Sequence, residues 1–283
     1  MDIQIMMLPG GQRLFNTRMG RRFSLKRTES EVLLEIARTT DIGNLEQILM
    51  RNDFCDYCSF EAINLKTALM LANTVVKISY KYPRLRSVFC FIGSKIGYLK
   101  SLQELCKLNP QTIREYAIEG MLTDSSLINV ASAQISVIDK TEYDKKEFNV
   151  WAQAFGCGKF LDAVILDEKD FSGFGYMKLC RDVARCVDSG YHPVGCDKPE
   201  SVIIHELGHS LDNLCGITSS REFSSYYQRF TKEQIKRGVS IYAMNNAQEF
   251  FAEAFAEYFC SNSPRQIARD MGEMLERAYK KIG

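Results

Sequence analysis

The segment Val202-Ile203-Ile204-His205-Glu206-Leu207-Gly208-His209 sets two imidazoles four residues apart, with a carboxylate beside the first. On an α-helix, residues i and i+4 leave from one face, so His205 and His209 can close on a single divalent cation while Glu206 leans toward an open coordination position. No other short pattern in the chain constrains the fold as much. It demands a helix, fixes which face of it turns inward and calls for a further donor from elsewhere. The chain has three histidines, His192, His205 and His209, and two of them fall in this motif. The alternative is a helix whose histidines only cap or pack. Two imidazoles bracketing a carboxylate at this spacing are the pattern of a zinc-peptidase helix.

A catalytic zinc uses three protein donors and keeps a place for water, so one more ligand is required. The segment from Ser240 to Phe259 can supply it. Phe250, Phe251, Ala254, Phe255, Tyr258 and Phe259 form an apolar stripe at helical spacing, and Glu249, Glu253 and Glu257 recur every fourth residue on another face. For Glu257 a solvated acidic edge is the better reading. Glu249 and Glu253 lie among aromatics, where burial is costly unless a cation or a histidine N–H compensates.

The two segments "HELGHSLD" and "YAMNNAQEFFAEAF" together resemble the gluzincin metallopeptidases, most closely the group of anthrax lethal factor and the clostridial Pro-Pro endopeptidases. In that group a tyrosine precedes the ligand glutamate by seven residues, and Tyr242 and Glu249 stand at that interval. The same block, with "DVARCVDSGYHPVG" before it and "NSPRQIARDMGEML" after it, is also similar to metallopeptidase-like domains of phages and prophages often associated with capsid morphogenesis. The likeness is specific from about residue 175 to the end, diffuse back to about 64 and absent before that. It implies one zinc ion per chain, with His205, His209 and Glu249 as ligands and Glu206 as general base and then general acid. Tyr242 would donate to the oxyanion, and Glu253 would orient a ligand histidine. Asp212 is shared with the lethal factor pattern too, and is equally well read as an exposed residue near its helix end. The implied fold is α+β and zincin-like, helix-rich with a small mixed sheet, the zinc helix being followed by a helix that carries the third ligand.

The chemistry also follows from the residues alone. Zinc brings the pKa of a bound water to about 7, so a carboxylate at position 206 can take the proton as that water attacks an amide carbonyl. Charge develops on the carbonyl oxygen, where a donor such as the Tyr242 hydroxyl is worth about 3 kcal/mol. Tyr242 is one of 13 tyrosines, most of which must be packing residues, and its spacing sets it apart.

Around the site, strands are expected at Leu161 to Asp167, Ser87 to Ile92 and Ala131 to Ile138, with a weaker one at Trp151 to Phe155. In the resembled peptidases a strand like Leu161 to Asp167 can be the sheet edge on which a peptide lies. Helices are expected at 64–82, 98–108, 175–188, 199–214, 221–237, 246–261 and 264–281, and a helix over 29–51 interrupted near Asp41-Ile42-Gly43. Pro199 and Pro264 suit first-turn positions, and Gly216 and Gly238 suit helix stops. Asp188 to Gly195 reads as a turn in which His192, without a partner at ligand spacing, is structural rather than a fourth ligand.

At 283 residues, 46% hydrophobic and 25% charged, the chain has ordinary globular material for a core. We expect residues 1–63 to form a basic arm and short helical segment, and 64–283 the metallopeptidase-like domain. No run of about 18 apolar residues exists, and Met1 to Leu8 lead into Pro and Gly, so neither a membrane span nor a signal peptide is expected and the bacterial cytoplasm is the anticipated location. Ten scattered cysteines in a chain of this size read as reduced thiols, and Cys55-Asp56-Tyr57-Cys58, a single C-x-x-C, is weak ground for a second metal or redox site. Net charge is +1, although Arg13, Arg18, Arg21, Arg22, Lys26 and Arg27 form an acid-free basic window that suits either a solvated tail or an arm for nucleic acid or another anionic partner.

Two functions from different classes fit. One is a zinc endopeptidase, encoded by a phage or mobile element, that acts on a protein or peptide substrate. The other is a phage structural or assembly protein using the peptidase-like fold as a binding module. A delivered toxin is a third, disfavoured by the absence of a recognisable signal or receptor-binding segment.

Overall fold

The computed structural model describes residues 27–55, 57–87, 89–94, 96–97, 152–155, 162–166 and 171–282. The helix expected at 98–108, the strand expected at 131–138 and the basic window up to Lys26 lie outside them. Arg27, the last member of that window, pairs with Glu35 and donates to the Glu31 carbonyl.

Two short amphipathic helices come first. α1 (Glu29–Arg38) begins at a reciprocal cap, in which the Thr28 side chain accepts from the Glu31 N–H and the Glu31 carboxylate accepts from the Thr28 N–H. α2 (Ile42–Arg51) starts at Asp41, whose carboxylate accepts from Asn44 N–H, and this cap is what interrupts the helical pattern there. α1 buries Val32 and Ile36, and α2 buries Leu45, Ile48 and Leu49. Both pack on α3 (Leu65–Lys81), which Asn64 caps and which presents Ala68, Leu71, Ala72, Val75 and Val76 to the interior.

Four strands form a mixed sheet in the order β1-β2-β4-β3. β1 (Tyr57–Ser59) runs parallel to β2 (Phe89–Ser94), β2 runs parallel to β4 (Asp162–Leu166), and β3 (Ala152–Phe155) is antiparallel to β4. β1 comes from the segment before residue 64 and hydrogen-bonds a strand from the segment after it; with three residues it carries no alternation for the sequence to display. The expectation that 161–167 could be the substrate edge is overturned. β4 has a partner on each side, and among the described residues the strand at that end of the sheet is β3.

Among the described residues six more helices follow: α4 (Gly173–Asp188), α5 (Glu200–Cys215), α6 (Arg221–Tyr227), α7 (Lys232–Gly238), α8 (Ala247–Cys260) and α9 (Gln266–Ile282). The single helix expected over 221–237 is divided. Tyr227 and Phe230 turn onto the ring of Phe250, and Thr231 then opens α7 with a capping box of its own. Pro199 sits one residue before α5 and Pro264 two before α9, so neither occupies the first turn. Gly216 ends α5 in the left-handed region (φ 65°), as a helix stop should, whereas Gly238 is the last residue of α7 itself.

The class is α+β with helices dominant. One buried cluster runs from Val32 in α1 to Leu275 in α9. Near its centre α5 packs along α8, with β3 and β4 against another side of α5. Among the described residues no helix is long and apolar enough to cross a membrane.

Candidate metal centre

Two local decisions place the donors. α5 is held inward by Ile203, Leu207 and Leu211, all at most 1% exposed, so residues 205 and 209 point along the flank of this apolar stripe toward α8. α8 starts at Asn246, whose side chain accepts from the Glu249 N–H at 2.8 Å, which puts Glu249 in the first helical turn, where backbone N–H groups favour a carboxylate. Between the helices lies Gly208. A Cβ at this position would stand 3.0 Å from Phe255 Cδ1 and 3.3 Å from the Ala252 Cα, so the absence of a side chain is what lets α5 and α8 approach.

At this crossing the three expected ligands meet. His205 Nε2 is 3.1 Å from His209 Nε2, and Glu249 Oε2 is 3.0 Å from the first and 3.4 Å from the second. Tetrahedral zinc with bonds of about 2.0–2.1 Å separates neighbouring ligand atoms by about 3.3 Å, so the donor triangle has the size the ion needs. Glu249 Oε2 is buried and makes no well-aligned hydrogen bond. A buried acceptor aimed between two imidazole nitrogens calls for positive charge there, from a cation or from a protonated ring. Among the described residues this is the one cluster of three or more such donors that could hold a metal ion.

Glu253, one turn after Glu249 and 1% exposed, serves several partners at once. Its Oε1 lies 2.9 Å from His205 Nδ1, its Oε2 accepts from the Ser240 hydroxyl at 2.7 Å, and both oxygens lie 3.1 Å from His192 Nδ1. Burial by itself would raise this carboxyl, but His192 and His205 bring it down to about 2. Glu249 behaves likewise, its burial outweighed by His205 and His209, which also bring it to about 2. Burial opposes charge on the His205 imidazole, yet the carboxylates of Glu249, Glu253 and Glu206 raise its pKa well above the ordinary value.

Ser240 also accepts from the Ala243 N–H and so fixes the 3-10 turn Tyr242–Met244. That turn is docked on the loop before α5 through Ile241 N–H to the Gly190 carbonyl and Tyr242 N–H to the Tyr191 carbonyl, 2.9 and 3.1 Å. The Tyr242 ring stands 5.9 Å from that of His205 and 5.6 Å from that of His192, centre to centre. Burial first, then the Glu249 and Glu206 carboxylates, push its phenol up, so it stays a protonated donor. A cavity of about 470 Å³ opens here between α4, the loop and α5, and Glu206, His205, Tyr242 and His192 all line it.

Two other carboxylates differ from expectation. Glu257 is not a solvated edge: it is fully buried and paired with Arg265, which folds back after the end of α8 and also donates to the Arg237 and Val239 carbonyls. Asp212 is 4% exposed, so the exposed reading fails, and its oxygens accept from the Thr218 N–H and hydroxyl at 2.7 and 2.6 Å. These bonds pin the turn after α5, and they join the nearby His209 in opposing the rise that burial gives the carboxyl.

His192 is the site residue that sequence reasoning set aside. The available signal was composition: the chain's three histidines all stand within this one site. Cys55 and Cys58 are buried free thiols, and burial followed by the neighbouring Cys55 pushes the Cys58 thiol up, away from the reactive thiolate.

A family model described as anthrax toxin lethal factor, N- and C-terminal domain, matches residues 176–271. This stretch, from α4 into α9, is similar to that family and contains every residue of the donor triangle together with Glu206, Glu253, His192 and Tyr242. No curated protein and no solved structure matches the chain.

Proposed function

We propose that the chain is a zinc-dependent endopeptidase of the gluzincin type with a zincin-like fold, cutting a peptide bond in a protein substrate. The observation that carries this is the Glu249 carboxylate from α8, its buried Oε2 standing within 3.4 Å of both Nε2 atoms of α5. The similarity of residues 176–271 to the lethal factor family supports it. Zinc held by His205, His209 and Glu249 would supply the Lewis acidity that makes a water nucleophilic near neutral pH.

The chain's own groups account for the rest. Glu206, next to a ligand and lining the cavity, accepts the proton of the attacking water and returns it to the leaving nitrogen. Tyr242 keeps its hydroxyl proton and donates to the carbonyl oxygen as negative charge builds there. Glu253 Oε1 lies 2.9 Å from His205 Nδ1, on the side of the ring away from Nε2, the atom this reading gives to the metal. An extended substrate would add to the sheet through the main chain of β3, the end strand among the described residues, packed beside α5. The source and compartment that go with this reading are a phage or mobile element and the bacterial cytoplasm.

The test combines metal analysis with digestion of a peptide library by wild type and Glu206→Gln. Both proteins should carry about one zinc, and cleavage should fall by about 10²–10⁴-fold in the variant. Equal cleavage by the two would remove Glu206 from the reaction. Bound zinc with no peptide cut by wild type would favour an assembly module built on the same fold.

A further inference from the structure

The cavity beside the donor triangle is not charged evenly. Glu206 and Glu253 stand at its inner end, with His205 and Tyr242. Its outer wall is α4, where Lys178, Asp182 and Arg185 line it at intervals of four and three residues and so share one helical face. The loop opposite contributes Tyr191, His192, Pro193 and Cys196, none of them a carboxylate. Between the two ends the lining is apolar at Val183, Val202 and Ala256, which leaves the α4 face as the place where a charged substrate side chain is read.

Asp182 engages its neighbours unequally. Lys178 Nζ donates to its Oδ2 at 2.7 Å, while Arg185 Nη1 stands 3.5 Å from its Oδ1. Arg181, exposed on the same helix, adds a third cation; Lys178 foremost, then Arg185 and Arg181, hold the Asp182 carboxyl below its ordinary value. One carboxylate thus answers to three cations. Among the described residues no other acid comes within ion-pair distance of Arg185, whose side chain is 76% exposed. A contact that long at such exposure is worth little, so the guanidinium can turn to a second carboxylate at small cost. Arginine suits that exchange, because its planar fork meets a carboxylate with two parallel N–H donors. From Lys178 to Arg185 the wall is about 10 Å long, the length of about three residues of extended peptide. We infer that the peptidase read above takes acidic peptides, with Arg185 as the specificity-determining residue that pairs with an Asp or Glu of the substrate within about three residues of the cut bond. A basic side chain at the same place would face Lys178 and Arg185 together.

This inference rests on the peptidase reading, and two readouts keep their failures apart. The first uses turnover. A sequence selected by the library digest is remade with Glu, Gln or Lys at one position at a time, and the full-length zinc-loaded chain is compared as wild type, Arg185→Gln and Arg185→Glu. At one position wild type should cut the Glu peptide about threefold faster in kcat/KM than its Gln twin, the scale of one exposed ion pair, and through a lower KM. In Arg185→Gln that ratio should fall to near one, and in Arg185→Glu the Lys peptide should become the preferred one. A residue that only supported α4 would not produce this inversion. Both variants should melt with wild type, since an exposed pair is all that is lost.

The second readout is fluorescence anisotropy in a Glu206→Gln background, with a labelled peptide of alternating Glu and Ala, its Gln counterpart and a single-stranded oligonucleotide of equal charge. The Glu peptide should bind more tightly than the other two and about threefold more weakly once Arg185 is replaced, a difference that shrinks as salt is raised. Glu and Gln peptides cut equally at every position, with no inversion in Arg185→Glu, would overturn the inference and leave the peptidase reading standing. An oligonucleotide that binds more tightly than the Glu peptide and weakens in the same variants would assign the wall to nucleic acid and overturn it too. A zinc-loaded wild type that cuts nothing yet binds the Glu peptide through Arg185 would overturn the peptidase reading and keep the acidic-peptide surface.

Discussion

The helices α1 to α3 and the pair α5–α8 both bury apolar faces, and they treat charge in opposite ways. In the first group the interior is made of Val32, Ile36, Leu45, Leu49, Leu71 and Val75, and among the described residues the buried charge nearby is Arg86, which lies over the rings of Phe54 and Tyr80. In the second, His205, Glu206, Asp212, Glu253 and Glu257 are all at most 9% exposed, inside a wall of phenylalanines. Each of those groups gives up hydration on folding, a cost that well-packed apolar residues would avoid. The first region is arranged to hold the fold. The second accepts a less stable interior in order to keep donors and acceptors in fixed places, and that difference can be attacked experimentally.

The largest effect should come from removing a donor. Glu249→Ala leaves two imidazoles facing each other without the carboxylate, and metal analysis should show zinc falling from about one per chain to near none after dialysis. Retained zinc would mean that the triangle is not the binding site. Leu49→Ala, at a fully buried position of α2, should lower unfolding free energy by about 2–5 kcal/mol in denaturant titration while zinc content is untouched. Were zinc lost as well, the two regions would not be separable in the way described. Glu253→Gln lies between these cases: the fold persists, and competition with a chelator should show zinc affinity about 10–100-fold weaker.

The smallest effect is in the pH profile of the chelated protein, where the sign can be worked out. Glu253 has an ordinary value of 4.5 and a folded value of about 2, so its contribution is present above 4.5 and fades as pH falls toward 2. His205 is raised above 6.5, so its contribution is complete below 6.5 and fades as pH rises through its folded value. Stability of the zinc-free chain should therefore peak between 4.5 and 6.5, and thermal melts across pH should show Glu253→Gln with a flatter acid limb. An acid limb equally steep in both proteins would remove Glu253 from the balance.

How far the sequence reached depended on the range of each interaction. α5 and α8 were legible to within a residue at each end, because their apolar period and the Gly216 stop are local signals. The meeting of His205, His209 and Glu249 was legible because a catalytic zinc would demand a third donor and few residues could provide it. Glu257 and the exposed one of the two readings of Asp212 failed for the opposite reason. A carboxylate on a polar stripe looks solvated until Arg265 or Thr218 comes back over it, and nothing in the spacing announces that return. The division of 221–237 was hidden in the same way, since it depends on Phe250 receiving Tyr227 and Phe230. His192 lay furthest from view, its partner being 61 positions along the chain.

Gly208 sits within the motif yet binds nothing, and its contribution is a distance. Two rigid rods can grip an object between them only as firmly as their closest approach permits, and here that approach is set where Gly208 meets Phe255 and Ala252. Any larger residue there would act as a shim, opening the jaws around His205, His209 and Glu249 before it touched one of them. The span between the facing side chains is thus written in part by the residue with no side chain.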